Sequence, residues 1–191
     1  MHLDQPEVQP WTLRKRRYLL ERWWLKIRED HVVLPDGREI EEFHVAEYPN
    51  WAATVCITRE GQLVFVEQYR HGIGKVGLEL PAGCIEPNED PLVAAKRELL
   101  EETGYAADTW VSLGKCATDP SNQSNYAHLF VAQDAYIQEG QQLDAGEDIA
   151  VRLLDQSEAF ALADGASERM LHGIHLTALF WASYRGLLNH R

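Results

Sequence analysis

Short runs of β-branched, aromatic and aliphatic residues, broken by proline, glycine and aspartate, fill the first half of the chain. Between residues 16 and 34, the runs Trp23-Trp24-Leu25 and His31-Val32-Val33-Leu34 predict strands rather than helix. Pro35-Asp36-Gly37 predicts a turn, and residues 38–48 continue extended, giving an N-terminal antiparallel element. Pro49-Asn50 breaks the pattern. Trp51–Thr58 then reads as a buried strand, Arg59-Glu60-Gly61 as a turn, and residues 62–69 as the hairpin partner. Residues 71–78 hold three glycines and predict a loop, with Leu78-Glu79-Leu80 a short strand ended by Pro81. From residue 91 to 102 the pattern becomes helical: Asp90 can cap the first turn, Pro91 suits it, and Gly104 ends the helix. Strands are expected near 110–115, 126–132 and Ile149–Leu154, and helices over Gln156–Ala163 and 167–188. In the last helix Leu171, Ile174, Leu176, Leu179 and Phe180 read as a core stripe. His172 and His175 read as surface or interface residues. Strands and helices mix without regular βαβ alternation, so the expected class is α+β around a mixed sheet. Residues 1–48 form the expected N-terminal element, and residues 49–191 a second, larger domain.

A chain of 191 residues, 45% hydrophobic and 25% charged, fits one domain with a small appendage. The formal net charge of −12 changes the functional picture. So acidic a surface repels nucleic acid and anionic lipid, so neither is expected as a partner. An anionic substrate would need local cations, from metal or arginine. Cys56, Cys84 and Cys116 are odd in number, widely spaced and without a CxxC pair. That argues against a disulfide framework or structural zinc, and for reduced thiols. The first ten residues are polar, hold two prolines, read as loose, and lack a basic-then-apolar signal pattern. No run of about 18 apolar residues occurs. The expected location is the cytoplasm.

The chemistry concentrates between Gly83 and Tyr105, in GCIEPNEDPLVAAKRELLEETGY. Glu98 and Glu102 are four apart on the expected helix and share a face, with Glu101 at its edge. Three carboxylates in five residues repel one another and oppose the helix dipole at its C-terminal end. A solvated acidic helix end is the bland alternative. Beside them, however, a Pro-Ala-Gly turn can present a backbone carbonyl, and clustered hard oxygens suit Mg²⁺ or Mn²⁺. Arg97 lies four residues before Glu101 and eight after Glu89, and can orient these carboxylates through bidentate hydrogen bonds. Gly83 permits a tight loop entry.

Gly83, Glu89, Arg97, Glu98, Leu99, Glu101, Glu102, Gly104 and Tyr105 together match the Nudix box, with Tyr105 aromatic where an aliphatic residue is usual. The chain therefore resembles the Nudix hydrolases, which implies a mixed β-sheet sandwiched between helices. The resemblance also implies that Glu98 and Glu102 are direct ligands of Mg²⁺ (Mn²⁺ being an alternative). Glu101 would support a further metal or a metal-bound water, and the Ala82 carbonyl would complete the first shell. Glu-Gln-Tyr-Arg at 67–70, Leu-Glu-Leu-Pro-Ala-Gly at 78–83, Pro120, and Gly146-Glu147-Asp148-Ile149-Ala150-Val151 resemble the ADP-ribose pyrophosphatase branch. That likeness implies a phosphate contact by Arg70, and Glu79 orienting Arg70 or binding substrate. Glu147 is the implied general base, with Glu101 as the alternative. Trp51 can stack on a base, against ordinary burial or a dimer contact. Ser121 after Pro120, and Glu47-Tyr48-Pro49-Asn50 before the first core strand, depart from the branch where relatives shape their substrate pockets. The implied activity is hydrolysis of ADP-ribose to AMP and ribose 5-phosphate. GDP-mannose or a broad set of nucleoside diphosphate sugars is the alternative, and a catalytically inactive ligand sensor a third reading. The exposed-type pair Trp23-Trp24 points to a homodimer built through the N-terminal strands.

Overall fold

The computed structural model describes residues 7–165, 167–170 and 172–189. Two compact units emerge: Met1–Pro49 with Asp119–Asn125, and Asn50–Thr118 with Tyr126–Arg191. In the first, β1 (Thr12–Arg22), β2 (Leu25–Val33) and β3 (Glu39–Glu47) form an antiparallel sheet in that order. Arg22 pairs with Leu25, so Trp23 and Trp24 form a two-residue turn rather than a strand, and Trp23 is 84% exposed. Pro49-Asn50 still ends the element. Charge knits it together: Arg16 grips Asp30 with two hydrogen bonds of 2.7 and 2.9 Å, and Arg17 grips Glu29 at 2.6 and 2.9 Å. The Arg16 bonds hold the buried Asp30 carboxyl below its usual range. Residues 119–125, distant in sequence, belong to this unit; the Ala46 N–H donates to the Asn122 carbonyl at 2.9 Å.

The second unit is built on a mixed sheet of β4 (Trp51–Thr58), β5 (Leu63–Arg70), β6 (Lys75–Glu79), β7 (Ala82–Cys84), β8 (Tyr105–Ala106), β9 (Thr109–Ala117), β10 (Tyr126–Ile137) and β11 (Ile149–Leu154). Its backbone order is β11-β5-β4-β10-β8, with β6 on β5, β7 on β4 and β9 on β10. Only the β4–β10 pair among these is parallel. The helices are α1 (Pro91–Thr103), α2 (Gln156–Ala163) and α3 (Gly173–Tyr184).

The continuous apolar run of β4 follows from burial on both faces. Ala53 and Val55 pack with Ala159 of α2 and Ile174, Ala178, Leu179 and Ala182 of α3. Ala52, one residue over, packs with Ala94 and Ala95 of α1, and Cys56 with Leu99. The sheet is thus layered between helices, as an α+β reading requires. The short strand expected at Leu78-Glu79-Leu80 appears as the end of β6, whereas β7 and β8 were not legible. The expected 71–78 loop is a turn that gives way at Lys75 to β6, and β7 forms on β4. The last helix starts at Gly173 rather than 167, because the Arg169 carbonyl accepts from the Leu78 N–H at 2.7 Å instead of entering a helix. Phe180 of the expected stripe is 62% exposed, while Leu171 lies outside the described residues. Among the described residues no helix is long and apolar enough to cross a membrane.

Candidate active site

Helix α1 carries the acidic cluster, and its ends are fixed locally. The Asp90 carboxylate accepts from Leu92 N–H at 2.9 Å and Val93 N–H at 3.3 Å, and Pro91 opens the first turn. Gly104 closes the helix at φ 74°, a left-handed conformation that a side chain would strain. Ala94, Ala95 and Leu99 bury against the sheet, which turns Glu98 and Glu102 toward β7. The Ala82 N–H donates to Glu102 Oε2 at 2.9 Å. At Gly83 a Cβ would stand 2.1 Å from the Glu98 carboxylate carbon, so the missing side chain is the space that Glu98 occupies.

Arg97 organises the rest. It donates to both oxygens of Glu89 at 3.0 Å each, to Glu98 at 2.7 Å, to Glu101 at 3.0 Å and to the Cys84 carbonyl at 3.1 Å. Glu89 in turn accepts from the Glu86 N–H at 2.9 Å, closing the loop before the helix. Burial pushes the Glu102 carboxyl well above the ordinary range, the Ala82 hydrogen bond opposing it and Glu98 and Glu147 adding to it. Burial also raises Glu98, against Arg97. Two buried carboxylates on one face, undercompensated by protein donors, are a donor set suited to a hard divalent cation. Among the described residues no three His, Cys, Asp or Glu side chains gather into a ready cage.

Beside this cluster lies a cavity of about 430 Å³ lined by Trp51, Arg70, His71, Ile73, Glu79 and His172, with Gly72 and Gly173. Arg70 and Glu79 come from the paired strands β5 and β6. Arg70 donates to Glu79 twice, at 2.9 and 2.6 Å. Burial would raise the Glu79 carboxyl, but the Arg70 bonds and His175 overcome it and hold it at about 2. Arg70 feels the charges of Glu102 and Glu147, so the cavity is electrostatically continuous with the acidic cluster. Trp51 is part-buried, with its ring 5.8 Å from that of His172. Burial pushes His172 down to about 4, leaving it uncharged near neutrality. Glu147 sits exposed on the loop before β11, its carboxylate turned back to accept the Asp144 N–H at 3.0 Å.

The structure therefore gathers Gly83, Glu89, Arg97, Glu98, Glu101 and Glu102 around one helix face, and Arg70, Glu79 and Trp51 around one cavity. Glu147 is within electrostatic reach of Glu98, Glu102 and Arg70. Pro120 and Ser121 fall in the unit built on β1–β3. The surface reading of His175 is corrected: the residue is fully buried against Glu79. Its signal was present in the helical period, since Ile174, His175, Ala178, Leu179 and Ala182 form the buried face of α3. Cys56, Cys84 and Cys116 are free thiols.

Comparison with known proteins places this geometry. The NUDIX domain model matches residues 48–173, and the model for a nucleoside diphosphate sugar hydrolase N-terminal domain matches residues 11–46. The chain is 40% identical over 109 residues to the methanol dehydrogenase activator of Bacillus methanolicus, covering 57% of this chain and 58% of that protein. It is 30% identical over 136 residues to the ADP-ribose pyrophosphatase of Bacillus subtilis (strain 168), covering 71% and 73%. The fold is similar to the crystal structure of an ADP compounds hydrolase, with a TM-score of 0.82 at 22% identity over 96% of this chain and 98% of that one.

Proposed function

The chain belongs to the Nudix family, and from that premise we propose that it hydrolyses the diphosphate linkage of ADP-ribose, or of a related nucleoside diphosphate sugar, with Mg²⁺ as cofactor. The observation that carries this reading is the pairing of buried Glu98 and Glu102 with an arginine-floored cavity next to them. Glu98 and Glu102, with the Ala82 carbonyl and Glu101, are the groups that would hold divalent metal. When bound, the cation neutralises developing phosphate charge and acidifies the attacking water. The protein's own groups do the rest. Arg97 holds the carboxylates in register, and Arg70, fixed by Glu79, binds a phosphate oxygen. Water attacks one phosphorus, the bridging P–O bond breaks, and the proton goes to Glu147 as general base. Trp51 offers a face to the base or sugar. For ADP-ribose the products are AMP and ribose 5-phosphate.

A second reading within the same chemistry is GDP-mannose or a broad set of nucleoside diphosphate sugars, favoured by the match of residues 11–46 to an N-terminal domain described by that substrate class. We also propose that the protein works as a cytoplasmic homodimer assembled through residues 12–50. The exposed Leu13, Tyr18, Leu19, Trp23 and Trp24 of that unit support the dimer, and the three free thiols a reducing compartment. A panel of ADP-ribose and nucleoside diphosphate sugars, assayed for phosphomonoester release with Mg²⁺, with Mn²⁺ and with chelator, tests the reading. Metal-dependent turnover of ADP-ribose above the others is expected. No turnover of any member refutes it.

A further inference from the structure

We propose that His175 is a positioning residue for Arg70, acting through Glu79; this rests on the reading that Arg70 binds substrate phosphate. His175 is fully buried on α3. Its Nδ1 accepts a hydrogen bond from the Leu80 N–H at 3.3 Å. An accepting Nδ1 carries no proton, so the ring proton sits on Nε2. That Nε2 is the one buried side-chain polar atom among the described residues without a hydrogen-bond partner. It lies 3.4 Å from Glu79 Oε2, near enough for attraction but not aligned for a bond. A buried donor left unmatched is a state that folded proteins seldom keep without a use.

The use follows from what else Glu79 Oε2 holds. Arg70 Nη2 donates to it at 2.6 Å and Gln68 Nε2 stands at 3.5 Å. Arg70 also faces the cavity. When a phosphate draws Arg70 toward the cavity, its Nη2 bond to Oε2 lengthens. The Nε2–H of His175 then takes the vacated oxygen and keeps Glu79 oriented, so that Arg70 stays anchored through Nε to Oε1. His175 thus lets one guanidinium serve a buried carboxylate and a substrate together, without leaving a bare buried charge.

The test compares His175→Asn with His175→Gln in the full chain. The Asn amide occupies the Nδ1 position and keeps only the Leu80 contact, whereas the Gln amide reaches the Nε2 position. His175→Asn is expected to raise KM roughly tenfold with kcat little changed, since the phosphate contact exists before and during the reaction. His175→Gln should recover most of that loss, and in an Arg70→Ala background His175→Asn should cost nothing further. A fall in kcat alone, equal defects in Asn and Gln, or additivity with Arg70→Ala overturns the proposal. Nitrogen NMR of the wild-type protein decides independently of folding and turnover. An Nε2–H tautomer whose proton shift changes in Glu79→Gln is expected, and an Nδ1–H tautomer or no response to Glu79→Gln overturns the proposal. Absence of turnover on every nucleotide sugar would sink the functional reading alone, and the tautomer result would still decide the role of His175.

Discussion

Gly83→Ala separates the architecture of the site from its stability. The new Cβ would fall 2.1 Å from the Glu98 carboxylate carbon and 2.2 and 2.3 Å from its oxygens. Ordinary contact begins near 3.4 Å, so the carboxylate must retreat by about 1.3 Å. The obstructing atoms end a side chain, not a backbone, so the fold can yield. Losing the Arg97–Glu98 bond at 2.7 Å costs about 1 kcal/mol, or about 2–4 °C of melting temperature for a chain this long. Metal ligation tolerates far less than 1 Å, with distances held to about 0.2 Å. Removing Glu98 from a divalent site should cost about two orders of magnitude in kcat, about 2.7 kcal/mol of barrier. Steady-state kinetics with Mg²⁺ and a thermal melt on the same preparation test both halves. Near-wild-type turnover would refute the packing of Glu98 on Gly83 as the feature that aims it, and a melting loss beyond about 10 °C would show that the backbone, not the carboxylate, had moved.

Other substitutions probe the remaining roles. Glu98→Gln and Glu102→Gln should each lower kcat by about two orders of magnitude or more while the protein stays folded, with wild-type activity abolished by chelator and restored by Mg²⁺; full turnover in Glu102→Gln contradicts ligation. Glu147→Gln should lower kcat strongly with KM and metal affinity nearly unchanged. If it stays within about threefold while Glu101→Gln loses about a hundredfold, the base is on α1. Glu79, held at about 2 against an ordinary 4.5, contributes stability that is present above the higher value and lost as pH falls through the lower one. Urea unfolding between about pH 6 and pH 3 should show a loss on the order of 2–3 kcal/mol that Glu79→Gln lacks, and equal slopes in both proteins refute the Arg70 clasp as its source. Light scattering at micromolar concentration should give twice the 21.8 kDa chain mass, and a clean monomer rules out the N-terminal dimer.

What the sequence disclosed and what it hid divide by the range of the interactions. Helix α1 was legible because its caps lie within its own residues: Asp90, Pro91 and Gly104 act on immediate neighbours. Helix α2 was legible for the same reason, Glu158 accepting from the Asp155 N–H at 3.0 Å at its first turn. By contrast, β7 and β8 are only three and two residues long and exist by pairing with β4 and β10, which local propensity does not see. Trp23 and Trp24 resembled strand residues by type, yet the Arg22–Leu25 register made them a turn. Box spacing alone brought Glu98 and Glu102 to one helix face. The partners across the fold, Gly83 under Glu98 and His175 under Glu79, needed three dimensions, although the buried period of α3 already marked position 175.

Two buried glutamates with opposite electrostatic fates explain why the site is built as it is. Glu79 is compensated from within: two Arg70 bonds and a nearby imidazole keep it ionised at about 2, so it needs nothing from solution and can serve as a fixed anchor. Glu102 has one backbone donor and faces the like charges of Glu98 and Glu147, so burial drives its carboxyl up. The protein holds that pair at a cost in stability while its total charge is already −12. On our proposal that Glu98 and Glu102 hold divalent metal, the missing counter-charge comes from solution, and the folding free energy withheld at the pair would become available on cation binding.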